Sequence, residues 1–154
     1  RVITGIAGKK GFSVLTIEKD LMNAEIGFGR KVLEVFEDND LSFEHLPSGI
    51  DTMSLVISSA ALEGRRDKLM QSVARAVHPD SVFIEDGLAL VAVVGRGMIK
   101  AKGTAARVCD ALARADVNIR MIDQGSSELN IIVGVDEDEY ETAVAAIYGE
   151  FVRS

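Results

Sequence analysis

The sequence has few of the residues on which many catalytic and binding sites depend. Its 154 residues include one cysteine, two histidines and no tryptophan. The single cysteine, Cys109, excludes an internal disulfide and a cysteine-based zinc cluster, and it fits a reducing compartment such as the cytoplasm. Aromatic residues make up 5% of the chain and the formal net charge is -7. Nucleic-acid binding needs a basic face and stacking side chains, so we expect no nucleic-acid partner.

Long apolar runs are missing too. No apolar stretch approaches the roughly 18 residues that a membrane-spanning helix needs, and no charged-then-apolar leader is present. We therefore expect neither a membrane protein nor a secreted one. Hydrophobic residues still account for 47% of the chain, which is enough for a core in one ordinary domain or two very small ones.

The chain contains two copies of one unit. When the sequence is shifted by 76 residues, segment 27–57 aligns with segment 103–133 without a gap. Gly27 then falls on Gly103, and the apolar pattern matches throughout. A repeat of this kind predicts two similar structural units.

In the first copy, β-branched and apolar runs alternate with segments whose apolar residues have helical spacing. The predicted strands are 12–18, 41–44, 53–57 and 81–84, and the predicted helices are 27–38 and 62–77. The order is βαββαβ. It predicts an α+β fold of the ferredoxin-like type, with helices on one face of an antiparallel sheet.

The second copy lacks a closing strand. Its predicted strands are 87–95, 117–123 and 128–135, and its predicted helices are 103–115 and 138–150. Residues 2–7 form a strand-like segment for which the first copy has no use. We therefore expect a first unit at 9–86 that is inserted into a second unit formed by 1–8 plus 87–154.

Three segments resemble a known family. They are FEHLPSGIDTMSLVI at 43–57, VVGRGM at 93–98 and IRMIDQGSSELNIIVGV at 119–135. Together with the paired units, they are similar to the two ACT domains at the C-terminus of aspartate kinase, over essentially the whole chain. The Pro-Ser-Gly-Ile-Asp turn is similar to that of monofunctional, lysine-responsive bacterial members.

The resemblance implies a regulatory region and not a catalyst. The family's amino-acid kinase domain, with its phosphate site, has no counterpart in this sequence, so we expect no cofactor here and expect ATP and magnesium only on that domain in cis. The resemblance also implies feedback control of aspartate phosphorylation by an end-product amino acid, L-lysine or else L-threonine. It further implies a homodimer formed through the ACT units.

The loop that leads into the first predicted helix suits the carboxylate of a free amino acid. Helix N-termini present unpaired backbone N–H groups and a partial positive charge, which favour anions. Gly27 and Gly29 would let a ligand approach the backbone closely. The residues alone leave open the alternative that Gly27 simply begins a helix.

The two copies differ in charge at matched positions. Glu25, Glu44 and Asp51 of the first copy fall on Ala101, Arg120 and Ser127 of the second. Three carboxylates favour a ligand with an additional positive charge, so a lysine effector fits them better than a threonine effector. An acidic, solvated rim without a ligand is the other interpretation.

The resemblance assigns effector binding to two segments of the first unit. The first segment contributes Met22, Asn23, Ala24, Glu25, Gly27, Phe28 and Gly29, and the second contributes Phe43, Glu44, His45, Leu46, Ser48, Gly49, Ile50 and Asp51. The chain departs from relatives with a Thr-Ser-Glu turn, because Ser48-Gly49-Ile50 stands at that place. Side-chain contacts from this turn therefore differ from those of such relatives.

A polar turn in the second unit has either an interface role or a ligand role. Its candidate residues are Asn118, Ile119, Gln124, Ser126, Ser127 and Glu128. We expect no metal site, because His45 and His78 have no ligand cluster nearby in the sequence. The acidic run 136–139 is typical of the first turn of a helix and lacks the spacing of a calcium loop.

Two other function classes stay open. One is an assembly module that holds subunits together without a ligand. The other is a stand-alone enzyme, which the missing nucleophile, metal and nucleotide motifs disfavour.

Overall fold

In the computed structural model, which describes residues 5–95, 102–124 and 130–152, strands and helices alternate along the chain. The strands are β1 (Gly5–Glu18), β2 (Thr52–Ser58), β3 (Ser81–Val94), β4 (Met121–Asp123) and β5 (Asn130–Asp136). The helices are α1 (Phe28–Asp38), α2 (Ser59–Leu62), α3 (Arg66–Val77), α4 (Thr104–Arg114) and α5 (Tyr140–Phe151). No helix in these described ranges has the length and apolar character needed to cross a membrane.

The first unit is Gly11–Asp86. Within it, β1 lies between β2 and β3, and β1 pairs antiparallel with β2 so that Leu15 is opposite Leu55. Side chains alternate across a strand, so every second residue points towards the apolar faces of α1 and α3. Val32 of α1 and Leu69 of α3 are fully buried in this core.

The second unit repeats this plan. It is formed by the segments that precede and follow the first unit in the sequence. β3 lies between β1 and β5, β5 pairs antiparallel with β3 and with β4, and Gly8 of β1 lies against the carbonyl oxygen of Leu90 in β3. Leu112 of α4 and Ile147 of α5 close the core. The predicted α+β, ferredoxin-like fold with one unit inserted into the other is confirmed.

The same backbone angles recur at matched positions of the two units. α1 and α4 each follow a left-handed glycine, Gly27 with φ 84° and Gly103 with φ 80°. Each helix is then followed by a left-handed aspartate, Asp40 with φ 55° and Asp116 with φ 58°. The 76-residue sequence repeat is therefore also a structural repeat.

The predicted strand at 41–44 is wrong. The amide of Leu41 still bonds to the carbonyl of Phe36 at 2.9 Å, and the ring of Phe43 meets that of Phe36 edge-on. The apolar alternation thus reflects packing on the end of α1. Contact with β2 begins at Glu44, whose amide donates to the carbonyl of Val56 at 2.8 Å, and it continues through two isolated bridges as far as Ser48.

Other predicted bounds also shift. The predicted strand 117–123 is limited to Met121–Asp123, and the predicted helix 62–77 begins at Arg66, because Gly64 adopts φ 75° after α2. The described part of 2–7 is continuous with 12–18 in β1, and 81–84 is continuous with 87–95 in β3 as far as Val94.

Each of these two long strands carries a left-handed glycine where the chain passes from one unit to the other. Gly11 in β1 has φ 91° and Gly87 in β3 has φ 76°. A Cβ at either position would meet no atom within 4 Å. The backbone angle, and not crowding, is therefore what requires glycine.

We predict that Gly87→Ala lowers the free energy of unfolding by about 1–2 kcal/mol, because an L-residue in the left-handed region is strained. Gly149→Ala is the matched control. It lies in α5 with open space around it, and alanine there should be neutral or stabilising by up to about 1 kcal/mol. Urea denaturation of both variants measures the difference, and equal stabilities would contradict the prediction.

Candidate functional site

Two loops meet at one end of the first unit. We call residues 19–27, between β1 and α1, the α1 loop, and residues 47–51, before β2, the β2 turn. The amide of Lys19 donates to the carbonyl of Asp51 at 2.9 Å, and the amide of Asn23 donates to the carbonyl of Ile50 at 3.1 Å. These main-chain bonds bring together the two segments to which the family resemblance assigns effector binding.

The α1 loop is also held by side chains on its two sides. The amide of Leu21 donates to Oδ1 of Asp51 at 3.0 Å, and the amide of Asp20 donates to Oδ2 of Asp80 at 2.8 Å. Leu21 adopts a left-handed conformation, with φ 58° and ψ 30°. Such a conformation is costly for leucine, so the surrounding hydrogen bonds must over-determine it.

The β2 turn is closed by its own backbone. The amide of Gly49 donates to the carbonyl of Thr52 at 2.7 Å, and the amide of Ser54 donates to the carbonyl of Pro47 at 2.8 Å. The turn therefore presents a fixed main chain beside the α1 loop, although its side chains differ from the Thr-Ser-Glu turn of some relatives.

The start of α1 lies directly after the α1 loop. Gly27, the left-handed residue before the helix, has no side chain to cap it, and the amide of Phe28 donates to the carbonyl of Glu25 at 3.4 Å. A Cβ on Gly29 would meet only Met53 Cε, at 3.8 Å. Gly27 is thus required by its backbone angle, whereas the fold leaves room for a larger residue at Gly29.

The structure separates the predicted effector residues by burial. Met22 and Phe28 are 4% and 3% exposed and belong to the core of the first unit. Their side chains are therefore structural. Exposed members of the set are Asn23, Ala24, Phe43, Glu44, Ser48, Gly49, Ile50 and Asp51, and partly buried members are Glu25, Gly27, Gly29, His45 and Leu46.

The three carboxylates that motivate a lysine effector have different surroundings. Oε1 of Glu25 lies 2.6 Å from Nζ of Lys19, and its Oε2 lies 3.6 Å from Nζ of Lys31. The hydrogen bond from Lys19 holds the pKa of the Glu25 carboxyl below its ordinary value. Asp51 accepts the Leu21 amide, while Glu44 makes no side-chain hydrogen bond or ion pair with any residue in the described ranges.

Lys19 is the residue at this site that sequence reasoning missed. A signal was available, because Lys19 directly follows β1 and lies six residues before the oppositely charged Glu25. Sequence spacing across an irregular loop does not show whether two such side chains meet, so the pair becomes visible only in three dimensions.

Glu44 lies apart from the two loops within one chain. Its amide bonds to Val56, whereas Ser48 bridges to Met53, so the two contacts are three positions apart on β2, about 10 Å along the strand. Segment 44–48 runs beside β2, which is the outermost of the described strands in this unit. Glu44 is thus an exposed carboxylate at a sheet edge.

The α1 loop and the β2 turn also expose large apolar side chains. Leu21 and Ile50 are each 65% exposed, and Ile26 is 97% exposed. Surfaces that meet a ligand or a partner often expose apolar side chains in this way.

The polar turn of the second unit is described only in part. Asn118 and Gln124 are exposed and Ile119 packs against the second core, while the predicted residues Ser126, Ser127 and Glu128 lie outside the described ranges. At the position matched to Glu44, Nη1 of Arg120 lies 3.0 Å from Oδ1 of Asp136.

One acidic group has the spacing to hold a metal ion. Carboxylate oxygens of Asp136, Asp138 and Glu139 lie within 4.8 Å of one another. Asp136 is already paired with Arg120, and the three residues surround the short turn before α5. The position of these carboxylates is explained by favourable interaction with the dipole of α5 and by the Arg120–Asp136 ion pair.

Comparisons with known proteins agree with this architecture. Residues 91–151 match the family model of the ACT domain. Aspartokinase 3 of Bacillus subtilis is 43% identical over 150 residues, which cover 97% of this chain and 33% of that protein. The crystal structure of aspartate kinase from Clostridium acetobutylicum, described as an allosteric enzyme, is 53% identical with a TM-score of 0.94, over 97% of this chain and 34% of that one.

A third comparison includes bound ligands. E. coli aspartokinase III in complex with lysine and aspartate, in its T-state, is 25% identical with a TM-score of 0.77, over 97% of this chain and 33% of that one. The present chain thus spans about a third of the length of these three relatives.

The fold and these similarities place the protein in the class of regulatory regions that consist of two ACT domains. Within that class, the chain belongs to the regulatory ACT regions of the aspartokinases.

We predict that Asp51→Ala loosens the α1 loop, because the Leu21 amide loses its acceptor. The expected cost is about 1 kcal/mol of unfolding free energy, together with faster hydrogen exchange at the amides of 21–23. Asp51→Asn is the control, since its amide oxygen can still accept the bond. Exchange that is unchanged in Asp51→Ala would show that this bond does not hold the loop.

Proposed function

We propose that this region binds a free amino acid where the α1 loop meets the β2 turn, and that L-lysine is the effector. The observation that carries the proposal is the pair of main-chain bonds from Lys19 to Asp51 and from Asn23 to Ile50. These bonds hold the α1 loop against the β2 turn. The α1 loop leads directly into the N-terminus of α1, where Gly27 supplies no side-chain cap.

The N-terminus of α1 is suited to the effector carboxylate. Gly27 supplies no side-chain cap for its first amides, and the helix dipole adds partial positive charge at that point. Gly29, whose side-chain position is open, lets an anion approach the backbone.

Acceptors for the effector's ammonium groups favour lysine over threonine. Glu44 is exposed and unpaired within the described ranges, and Asp51 is exposed with one oxygen engaged by the Leu21 amide. Threonine has one ammonium group and would leave an acceptor unused. The lysine complex of the E. coli relative supports the same choice.

Two copies of the chain complete this site in our proposal. Glu44 lies about 10 Å along β2 from the β2 turn, too far for direct contact with an ammonium bound at the turn. Segment 44–48 is an edge, and edges pair readily with a second copy. The exposed side chains of Leu21, Ile26 and Ile50 would be covered in such a homodimer.

The proposed regulated activity is phosphorylation of L-aspartate by a kinase domain in cis. An effector shifts that activity only if it binds two arrangements of the regulatory regions with different affinities. Lysine bound across the paired first units would favour the arrangement in which the kinase is less active. ATP and magnesium would be held by the kinase domain, and a biosynthetic enzyme of this kind would work in the cytoplasm.

The exposed apolar residues also favour a second candidate, an assembly module that pairs without any ligand. Leu21, Ile26 and Ile50 would then be covered by the partner alone. This candidate predicts dimers whose melting temperature and heat of mixing do not respond to any amino acid.

We predict that millimolar L-lysine raises the melting temperature of this chain and that L-threonine does not. Binding stabilises the folded state by RT ln(1 + [L]/Kd). Glu44→Ala should weaken lysine binding by roughly tenfold or more, because a charge-assisted hydrogen bond is lost. Glu37→Ala is the control, since it removes an exposed carboxylate from the outer face of α1.

Calorimetry with lysine, threonine and methionine decides between the candidates. A response to threonine but not to lysine would contradict the charge argument. No heat with any of the three, together with a stable dimer, would favour the assembly module.

A further inference from the structure

The ammonium group of Lys19 is enclosed by groups of the first unit. Its Nζ donates to Oε1 of Glu25 at 2.6 Å and to the carbonyl oxygen of Val77 at 2.6 Å, and it lies 5.9 Å from the centroid of the Phe28 ring. The side chain is 22% exposed. Two of its three possible donors are therefore used inside the chain, beside an aromatic face.

Glu25 is engaged on both of its oxygens. Besides the contact with Lys19, its Oε2 lies 3.6 Å from Nζ of Lys31, and the side chain is 29% exposed. The hydrogen bond from Lys19 lowers the pKa of the Glu25 carboxyl, which favours its charged form. A ligand ammonium that approaches Glu25 would meet the positive charges of Lys19 and Lys31, which are already in contact with this carboxylate.

The contact joins three elements. Lys19 follows the end of β1, Glu25 lies in the α1 loop two residues before Gly27, and Val77 is the last residue of α3. Together with the Asp20–Asp80 bond, this contact attaches the α1 loop to the C-terminal end of α3 and the residues that follow it.

The second sequence repeat lacks both partners. A shift of 76 residues places Gly95 at the position of Lys19 and Ala101 at the position of Glu25. The pair is thus present together in the unit with the candidate effector site and missing together from the other. This is expected of two residues that act on each other.

We propose that Lys19 and Glu25 form an internal clamp that positions the α1 loop for the effector, so that Glu25 is a positioning residue and not a ligand of the effector ammonium. The proposal that this clamp exists does not depend on the proposed function, whereas the identity of the effector for which it positions the loop does. Effector recognition by side chains then falls to Glu44 and Asp51, the carboxylates that the chain leaves accessible.

A double-mutant cycle tests the clamp. Lys19→Met, Glu25→Gln and the double variant are compared for L-lysine affinity by calorimetry and for amide exchange of residues 20–25 without effector. We expect each single change to weaken lysine binding by about tenfold and the double change to weaken it no further, because either substitution already breaks the contact. Exchange in the loop should rise in all three.

Lys68→Met is the matched control, since it removes an exposed lysine from α3 with the same loss of charge. It should leave both measurements within twofold of the wild type. A uniform loss of stability would raise exchange in the second unit as well, so exchange confined to 20–25 separates the clamp from general unfolding.

Two results would overturn the proposal. Tighter lysine binding by Lys19→Met would mean that Lys19 competes with the effector for Glu25, and additive losses in the double variant would mean that the two residues act separately. If the wild type binds no lysine, the exchange measurements still decide the clamp, and a rise confined to 20–25 would show that only the proposed effector is wrong.

Discussion

The main-chain hydrogen bonds between the α1 loop and the β2 turn determine how the other groups at this end of the first unit are arranged. Lys19 and Asn23 donate to carbonyls of the β2 turn, and this fixes the loop at the edge of the sheet. Leu21 is thereby held in a left-handed conformation, and Gly27 can begin α1 with its N-terminus uncapped. Because backbone groups make these contacts, the arrangement tolerates the change of side chains at Ser48-Gly49-Ile50.

The sequence predicted the parts of the fold that depend on periodicity. Core residues such as Leu15, Val32 and Leu55 follow the periods of strands and helices, because the buried face of each element is apolar at that period. The predicted strand at 41–44 was wrong because Leu41 and Phe43 pack on α1, and a short apolar alternation cannot show which element it faces. The continuity of β1 and β3 was missed because a left-handed glycine inside a strand resembles a turn in sequence.

The candidate site was predictable in outline and not in its electrostatics. The resemblance led to both segments that the hydrogen bonds bring together, and burial later showed that Met22 and Phe28 are core residues. Counting carboxylates treated Glu25 and Glu44 alike, although one is paired with two lysines and the other with none of the described residues. Such pairing depends on loop conformation, which follows no period.

The attachment of the α1 loop suggests how a bound effector can act beyond its own contacts. Asp20 bonds to Asp80, and Ser81, the next residue, begins β3, which continues from the first unit into the second. A ligand that shifts the α1 loop must therefore move Asp80 with it or break that bond. An effector of the proposed kind that binds one position of the α1 loop better than another would therefore also bias the start of β3, and such differential affinity is what regulation requires. Glu25 and Lys19 hold the same loop to Val77, so their contact sets the position from which any such shift begins.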